Sequence, residues 1–277
     1  MSTKLIGDYL RARREQVQPD EVGLTDNGRR RVRGLRRDEL AMLAGISTEY
    51  YTRLEQGRDQ HPSAQVLDAV ARALGLDDDG RAHLHQLARP APGRKAAPRR
   101  PDRVGASLQQ LLDSWTQTPA YVQGRHLDVL ASNAIARALS PMFVPGGNVL
   151  RATFLDPEVH ELLPGWETKV QTLVASLRAM VGPDVDDPRL MELVGELSVK
   201  SPVFARLWSR HDVRPQPGHG IHIMQHRSVG ELHLNYDKFA VAGADGQTLV
   251  IYHADPASTS AQALQLLSTL AAEVRPG

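Results

Sequence analysis

Hydrophobic and polar positions change their period along this chain. Up to position 88 apolar residues recur at helical spacing: Leu67, Val70, Ala71 and Leu74 fall at i, i+3, i+4 and i+7, and Leu84, Leu87 and Ala88 repeat the step, which predicts the short helices of one small bundle. Arg89 to Arg103 carries four prolines, one glycine and a basic run with no apolar period, so it reads as a linker. Beyond it a helix bearing Leu108, Leu111, Leu112 and Trp115 precedes two short runs, Ala120 to Gln123 and Leu127 to Ala131, split by Gly124, the pattern of a hairpin. Helical spacing returns in Val170, Leu173, Val174 and Leu177, in Leu190, Leu193, Val194 and Leu197, and in Phe204, Leu207, Trp208 and His211. Three strand-like segments follow, His219 to His226, Glu231 to Val241 and Thr248 to Ala254, and then a helix with Ala263, Leu266, Leu267 and Leu270. Strands at both ends of a helical insert predict an α+β domain with one antiparallel sheet. The expected division is an all-α domain over 1–89, a linker over 90–104 and an α+β domain over 105–277.

A length of 277 residues favours two cores. No apolar run approaches the ~18–20 residues of a membrane span, Met1 to Gly7 lacks the layout of a secretory signal, and the absence of cysteine removes disulfides, thiol nucleophiles and thiolate metal sites. The expectation is a cytoplasmic protein with no membrane partner. Net charge is +1, but up to position 104 there are 20 Lys and Arg against 15 Asp and Glu, and beyond it 13 against 17, so the parts carry +5 and −4. A basic part joined to an acidic part suggests that only the first meets a polyanion. No Gly-rich phosphate loop, nucleophile elbow or His-Glu metal helix is found, so neither an enzyme nor a cofactor is expected. His222 and His226 fall on one face of a strand, but side chains four apart there are roughly 13 Å apart, too far to share an ion, and no metal site is expected.

The segment Arg36 to Arg58, RRDELAMLAGISTEYYTRLEQGR, carries the most specific chemistry. Leu40, Ala41 and Ala44 form the inner face of one helix, Gly45 supplies a left-handed turn, and Ser47 caps a second helix. On that helix Tyr51 and Leu54 point inward, which leaves Thr48, Glu49, Tyr50 and Arg53 on its outer first turns, the positions that enter a DNA major groove. Arg53 offers two donors to guanine, Glu49 an acceptor to cytosine, and Thr48 a contact to a base edge or thymine methyl, while Tyr50 reaches base or phosphate. Arg37 and Arg58 flank the helices as phosphate contacts, which set register and salt dependence.

This segment, with the wording LRRDELAMLAGISTEYYTRLEQGR, resembles the lambda-repressor-like, Xre-type helix-turn-helix and specifically its MmyB-like branch. The resemblance implies a five-helix bundle over roughly residues 4 to 90, with Arg14 paired to Glu55 as a buried scaffold contact. It also covers the long connection Val17 to Gly34, whose Arg29, Arg30, Arg31 and Arg33 either track phosphates or form a solvated charge run. The likeness continues through TPAYVQGRHLDVLASNAIARAL, NVLRATFLDPE, SPVFARLWSRHDV and VGELHLNYDKFAV. It implies a PAS-like ligand-binding domain with a five-stranded antiparallel sheet and fatty-acid-like ligands. Arg227 stands where the family usually has proline and Ala257 where it usually has glycine, which puts both turns in question.

A buried carboxylate needs a cationic or hydrogen-bonding partner beside an apolar slot. Arg151 is the first candidate, close to Asn148 and just before Phe154, with Asn133 at the start of the helix after the hairpin and Phe204, Trp208, His211 and Tyr236 as further lining. A structural reading stands beside this one, with Arg151 paired to Asp156 or Glu158 and the aromatics forming ordinary core. The functional expectation is a homodimeric transcription regulator on a palindromic operator, responsive to a small amphipathic ligand such as a fatty acid. The alternative is constitutive DNA binding, with the C-terminal domain serving only dimerisation or docking.

Overall fold

The computed structural model describes residues 2–24, 32, 34–59, 61–88, 103–182, 187–244 and 246–273. The arginines at 29, 30, 31 and 33 and most of the expected linker lie outside the described residues. Contacts divide the chain into two compact units: one takes Met1–Lys95, Val174–Met191 and Pro202–Pro215, the other Ala96–Leu173, Glu192–Ser201 and Gln216–Gly277.

The first unit opens with α1 (Ser2–Gln16), α2 (Arg37–Ala44), α3 (Thr48–Glu55), α4 (Ala64–Ala73) and α5 (Asp78–Ala88). Leu40, Leu54, Val70 and Leu84 are completely buried in its core, each such side chain stabilising the fold by about 1.5–3 kcal/mol. Between α2 and α3, Gly45 has φ +67° and its N–H reaches the carbonyls of Ala41 and Met42, a left-handed stop that a β-carbon would strain. Ser47 Oγ then accepts from Tyr50 N at 3.1 Å and starts α3.

The end of α3 is fastened by charge. Arg14 on α1 donates from Nε to Glu55 Oε2 at 2.9 Å and from Nη2 to Oε1 at 3.3 Å. Its Nη1 donates to Leu35 O at 2.7 Å. The Glu55 side chain is wholly buried and that of Arg14 nearly so, which confirms the pair implied by the resemblance. Gly7 on the same helix lies so close to α3 that a β-carbon on it would sit 2.2 Å from the Glu55 carbonyl oxygen.

The remaining elements are α6 (Ala106–Ser114), β1 (Ala120–Gln123), β2 (Val129–Ser132), α7 (Ala134–Leu139), α8 (Val149–Leu155), α9 (Pro157–Leu162), α10 (Trp166–Val181), α11 (Pro188–Lys200), α12 (Pro202–Ser209), β3 (His219–His226), β4 (Gly230–Ala240), β5 (Thr248–His253) and α13 (Thr259–Glu273). The five strands make one antiparallel sheet in the order β2-β1-β5-β4-β3, as the alternating segments predict. Pairings Tyr121↔Val250, Tyr236↔Tyr252 and His222↔Leu234 put these residues on one face. The opposite face, through Ala120, Val122, Leu249 and Ile251, packs against Leu108 and Leu112 of α6. Ala257 takes φ +61°, a left-handed backbone that glycine adopts without strain. Arg227 sits in the β3–β4 turn and meets Glu158 at 3.2 Å on the surface.

Residues far downstream complete the first unit. Arg13 on α1 donates to Asp212 Oδ1 at 2.7 Å, Gln16 Nε2 donates to Arg210 O at 2.6 Å, and Val213 packs against the bundle core. Arg178 is buried, lies 3.9 Å from the Trp208 ring and donates from Nη2 to Trp208 O at 2.6 Å.

Replacing Glu55 with Gln leaves buried Arg14 without its counter-charge, and denaturant unfolding is expected to show a loss of about 3–5 kcal/mol. Gly7→Ala improves helix propensity by roughly 1 kcal/mol, yet the clash with Glu55 wins, so the midpoint is expected to fall. Burial pushes the Glu55 carboxyl up, and its bonds to Arg14 and Arg37 outweigh that, leaving it below the usual carboxylate range. Its contribution is therefore complete above the unfolded value of about 4.3 and fades as pH drops through the lower folded value. In Glu55→Gln that part of the acid sensitivity is expected to vanish.

Candidate functional site

Two surfaces carry chemistry, one in each unit. On α3, Tyr51 and Leu54 are fully buried, whereas Thr48, Glu49 and Arg53 are exposed and Tyr50 is half-buried. The helix thus presents the outer residues expected of it on a rod locked from behind. The Arg53 guanidinium lies 5.6 Å from the centre of the Tyr50 ring. Burial, followed by a hydrogen bond to Asp59, raises the Tyr50 phenol, so Tyr50 is tethered and carries Arg53 across its face. Arg58 is exposed just past the helix. Arg37 differs from expectation, because its Nε and Nη2 both donate to Glu55 Oε1, at 3.0 and 2.7 Å. A buried carboxylate at the end of α3 captures it, and 44% of its side chain remains exposed. The exposed N-terminal turn of α3 also turns its positive dipole end outward.

In the second unit, a cavity of about 90 Å³ lies against the sheet face that carries Tyr121, His222 and Tyr252. Leu127, Met142, Phe143, Val149, Leu163, Leu173 and Met224 make its apolar wall, and Gln123, Thr153, Lys169, Gln216 and Lys238 join the three ring residues as its polar lining. Tyr121 stacks on Phe143 at 4.4 Å, which stiffens one side. Burial, then the charges of Lys169 and Lys238, lowers His222 to about 4, so its imidazole is neutral at physiological pH. The His222 Nδ1 atom lies 3.2 Å from Tyr252 Oη. Burial also lowers both lysines, Lys238 to about 8.

None of the eight residues expected to bind ligand lines this cavity, and each has a physical reason. Asn133 is the N-cap of α7: its Oδ1 accepts from Ala120 N and Ala136 N, and its Nδ2 donates to Trp115 O and Thr118 O. Asn148 caps α8 and ties it to the hairpin through His126 O and Asp128 Oδ1. Arg151 pairs with neither Asp156 nor Glu158 but with Glu196 on α11, at 2.7 and 3.0 Å. That pairing, with help from Lys200, draws the Glu196 carboxyl down to about 2. Phe154 packs edge-on against Trp166. Phe204, Trp208 and His211 belong to the first unit, where Phe204 stacks on Trp208 and neutral His211, lowered to about 3 by burial and then by Arg178, faces the Arg178 guanidinium. Tyr236 comes nearest, its ring 4.5 Å from that of His222 behind the lining.

Sequence reasoning missed Lys169 and Lys238, although Lys238 left a signal. Leu232, Leu234, Tyr236 and Lys238 share one parity of β4, so a lysine stands on the inward face of an amphipathic strand. Lys169 lies one turn before Leu173 on α10, where an isolated lysine looks like any surface residue.

Residues 104–267 match the family profile described as MmyB-like transcription regulator ligand binding domain, and residues 5–84 match one described as helix-turn-helix domain. No curated protein matches the chain.

Substitution separates capping from ligand roles. Asn133→Ala strands buried backbone groups and is expected to cost at least about 2 kcal/mol in denaturant unfolding. Arg151→Ala, which breaks a partly exposed pair, is expected to change stability by less than about 1 kcal/mol.

Proposed function

We propose, for a chain that belongs to the family of MmyB-like transcription regulators, a sequence-specific DNA-binding regulator whose C-terminal domain senses a small amphipathic ligand. The chain joins a helix-turn-helix DNA-binding domain to a ligand-binding domain. The observation that carries the reading is α3, buried on one side through Tyr51 and Leu54 and bearing Thr48, Glu49 and Arg53 outward. In this reading Arg53, steadied on Tyr50, reads guanine, Glu49 accepts from cytosine and Thr48 meets a base edge or thymine methyl. Arg58 and the exposed side of Arg37 hold phosphates.

The C-terminal domain is read as PAS-like, which the five-stranded antiparallel sheet supports. A fatty acid is the finer reading of the ligand. Support comes from a lining that is mostly apolar and includes two lysines and no carboxylate. Two copies related by a two-fold axis would set their recognition helices one DNA turn apart on a palindromic operator. Ligand then acts only through its different affinities for DNA-competent and incompetent arrangements. The site of action is the cytoplasm, where the duplex is, and no catalytic step enters the reading.

Selection of random duplexes by the full-length chain is expected to return a two-fold symmetric site with half-site centres about 34–36 Å apart. Thr48→Ala with Arg53→Ala is expected to lower affinity for that site by about 1–3 kcal/mol per lost base contact, with folding retained. Unchanged sequence selectivity in that folded variant would falsify the placement of α3. Native mass spectrometry of the freshly purified chain is expected to show twice the chain mass together with a small co-purified acid.

A further inference from the structure

The first unit is built from both matched regions. Besides the helix-turn-helix match over residues 5–84 it takes in Val174–Met191 and Pro202–Pro215, which fall inside the ligand-binding match over 104–267. These inserted segments are tied to one another. Buried Arg178 donates from Nη2 to Trp208 O, and His211 Nδ1 lies 3.3 Å from its Nη1. A guanidinium has donors only, so that ring nitrogen is the acceptor. Arg214 N donates to Ala175 O at 3.3 Å. His211 itself takes φ +55°, a left-handed backbone that a residue other than glycine keeps only where its surroundings fix it.

Tyr9, Arg13 and Gln16 fall at i, i+4 and i+7 and make one stripe of α1, and all three meet the inserted segments. The Tyr9 ring lies 6.4 Å from that of His211, Arg13 Nη1 donates to Asp212 Oδ1 at 2.7 Å, and Gln16 Nε2 donates to Arg210 O at 2.6 Å. Asp212 Oδ2 is held in turn by Arg210 Nε at 3.0 Å. Gly7 and Arg14 lie roughly half a turn away around the same helix, and both meet Glu55 at the end of α3. α1 is therefore a strut, with α3 on one side and the inserted segments on the other.

We infer that Asp212 and Arg178 are positioning residues for DNA reading: by seating α1 they set, through Arg14 and Glu55, where α3 stands. The inference rests on the reading of α3 as the helix that enters the major groove. It adds that the ligand-binding part of the sequence supplies residues that aim the DNA reader. A change in how the inserted segments sit is then a change in how α3 meets the duplex.

Fluorescence anisotropy of the full-length chain, on the duplex returned by selection and on an unrelated duplex of equal length, tests the assignment. Asp212→Asn is expected to lower the ratio of the two affinities about tenfold, the scale of one weakened base contact. Affinity for the unrelated duplex is expected to hold, because phosphate contacts carry no sequence choice. Asp212→Glu, which keeps the charge, is expected to recover most of the ratio, and Arg178→Met to lower it as Asp212→Asn does. A merely stabilising role would move the unfolding midpoint and leave the ratio alone. Coupling is reciprocal, so in the unaltered protein the selected duplex, and not the unrelated one, is expected to slow amide exchange over residues 208–213. That measurement stands even if a variant fails to fold. An unchanged ratio in folded Asp212→Asn, or exchange over 208–213 indifferent to the selected duplex, overturns the inference. An unaltered protein that prefers no duplex sinks the regulator reading itself, and this inference with it.

Discussion

Glu55 is where the first unit is held together. Its carboxylate ends α3, lies out of water, and is reached by Arg14 from α1 and Arg37 from α2, with Arg11 3.7 Å away. A buried carboxylate with fewer partners would be expelled or protonated, so the three helices are obliged to converge on it. Arg14 also holds Leu35 O, which fixes where the chain re-enters after the long connection. Only hydrogen fits at Gly7, where α1 passes the last carbonyl of α3. The pose of α3 thus depends on one ion pair and one missing methyl group. That helix has just eight residues, too few to be stable alone.

The second unit follows the opposite electrostatic logic. Where the bundle pairs its buried charge several times over, the cavity gathers cations and leaves them to neutral acceptors. Tyr121 and Tyr252 of the same lining both pack on Phe143, with ring centres 4.4 and 5.6 Å apart. Arg151 shows the contrast, since its Nε and Nη2 both donate to the Glu196 carboxylate and so tie α8 to α11.

Periodicity made most of the fold legible. The three late strands were bounded to within a residue or so by alternation alone, and the turn at Gly45 with the cap at Ser47 follows from residue types at fixed offsets. Side-chain partnership was far less readable. Asn133 and Asn148 looked available because a capping asparagine and a ligand-binding asparagine are the same letter, and only coordinates show four bonds already made by the first. Phe204, Trp208 and His211 keep a correct helical stripe, yet period tells which face is buried and not what it is buried against. Lys238 was detectable by strand parity; Lys169 and Gly7 were not, because their roles depend on chain that is distant in sequence.

The downstream residues of the first unit set the order of its assembly. When residues 1–88 have left the ribosome, Tyr9 still lacks the ring of His211, Arg13 has no Asp212 and the core has no Val213. Those partners emerge only after the chain from position 89 through α12 has been translated, on the order of ten seconds later. A nascent or prematurely terminated chain therefore carries α3 in an unfinished mount, and the helix-turn-helix domain is complete only after most of the ligand-binding domain has been synthesised.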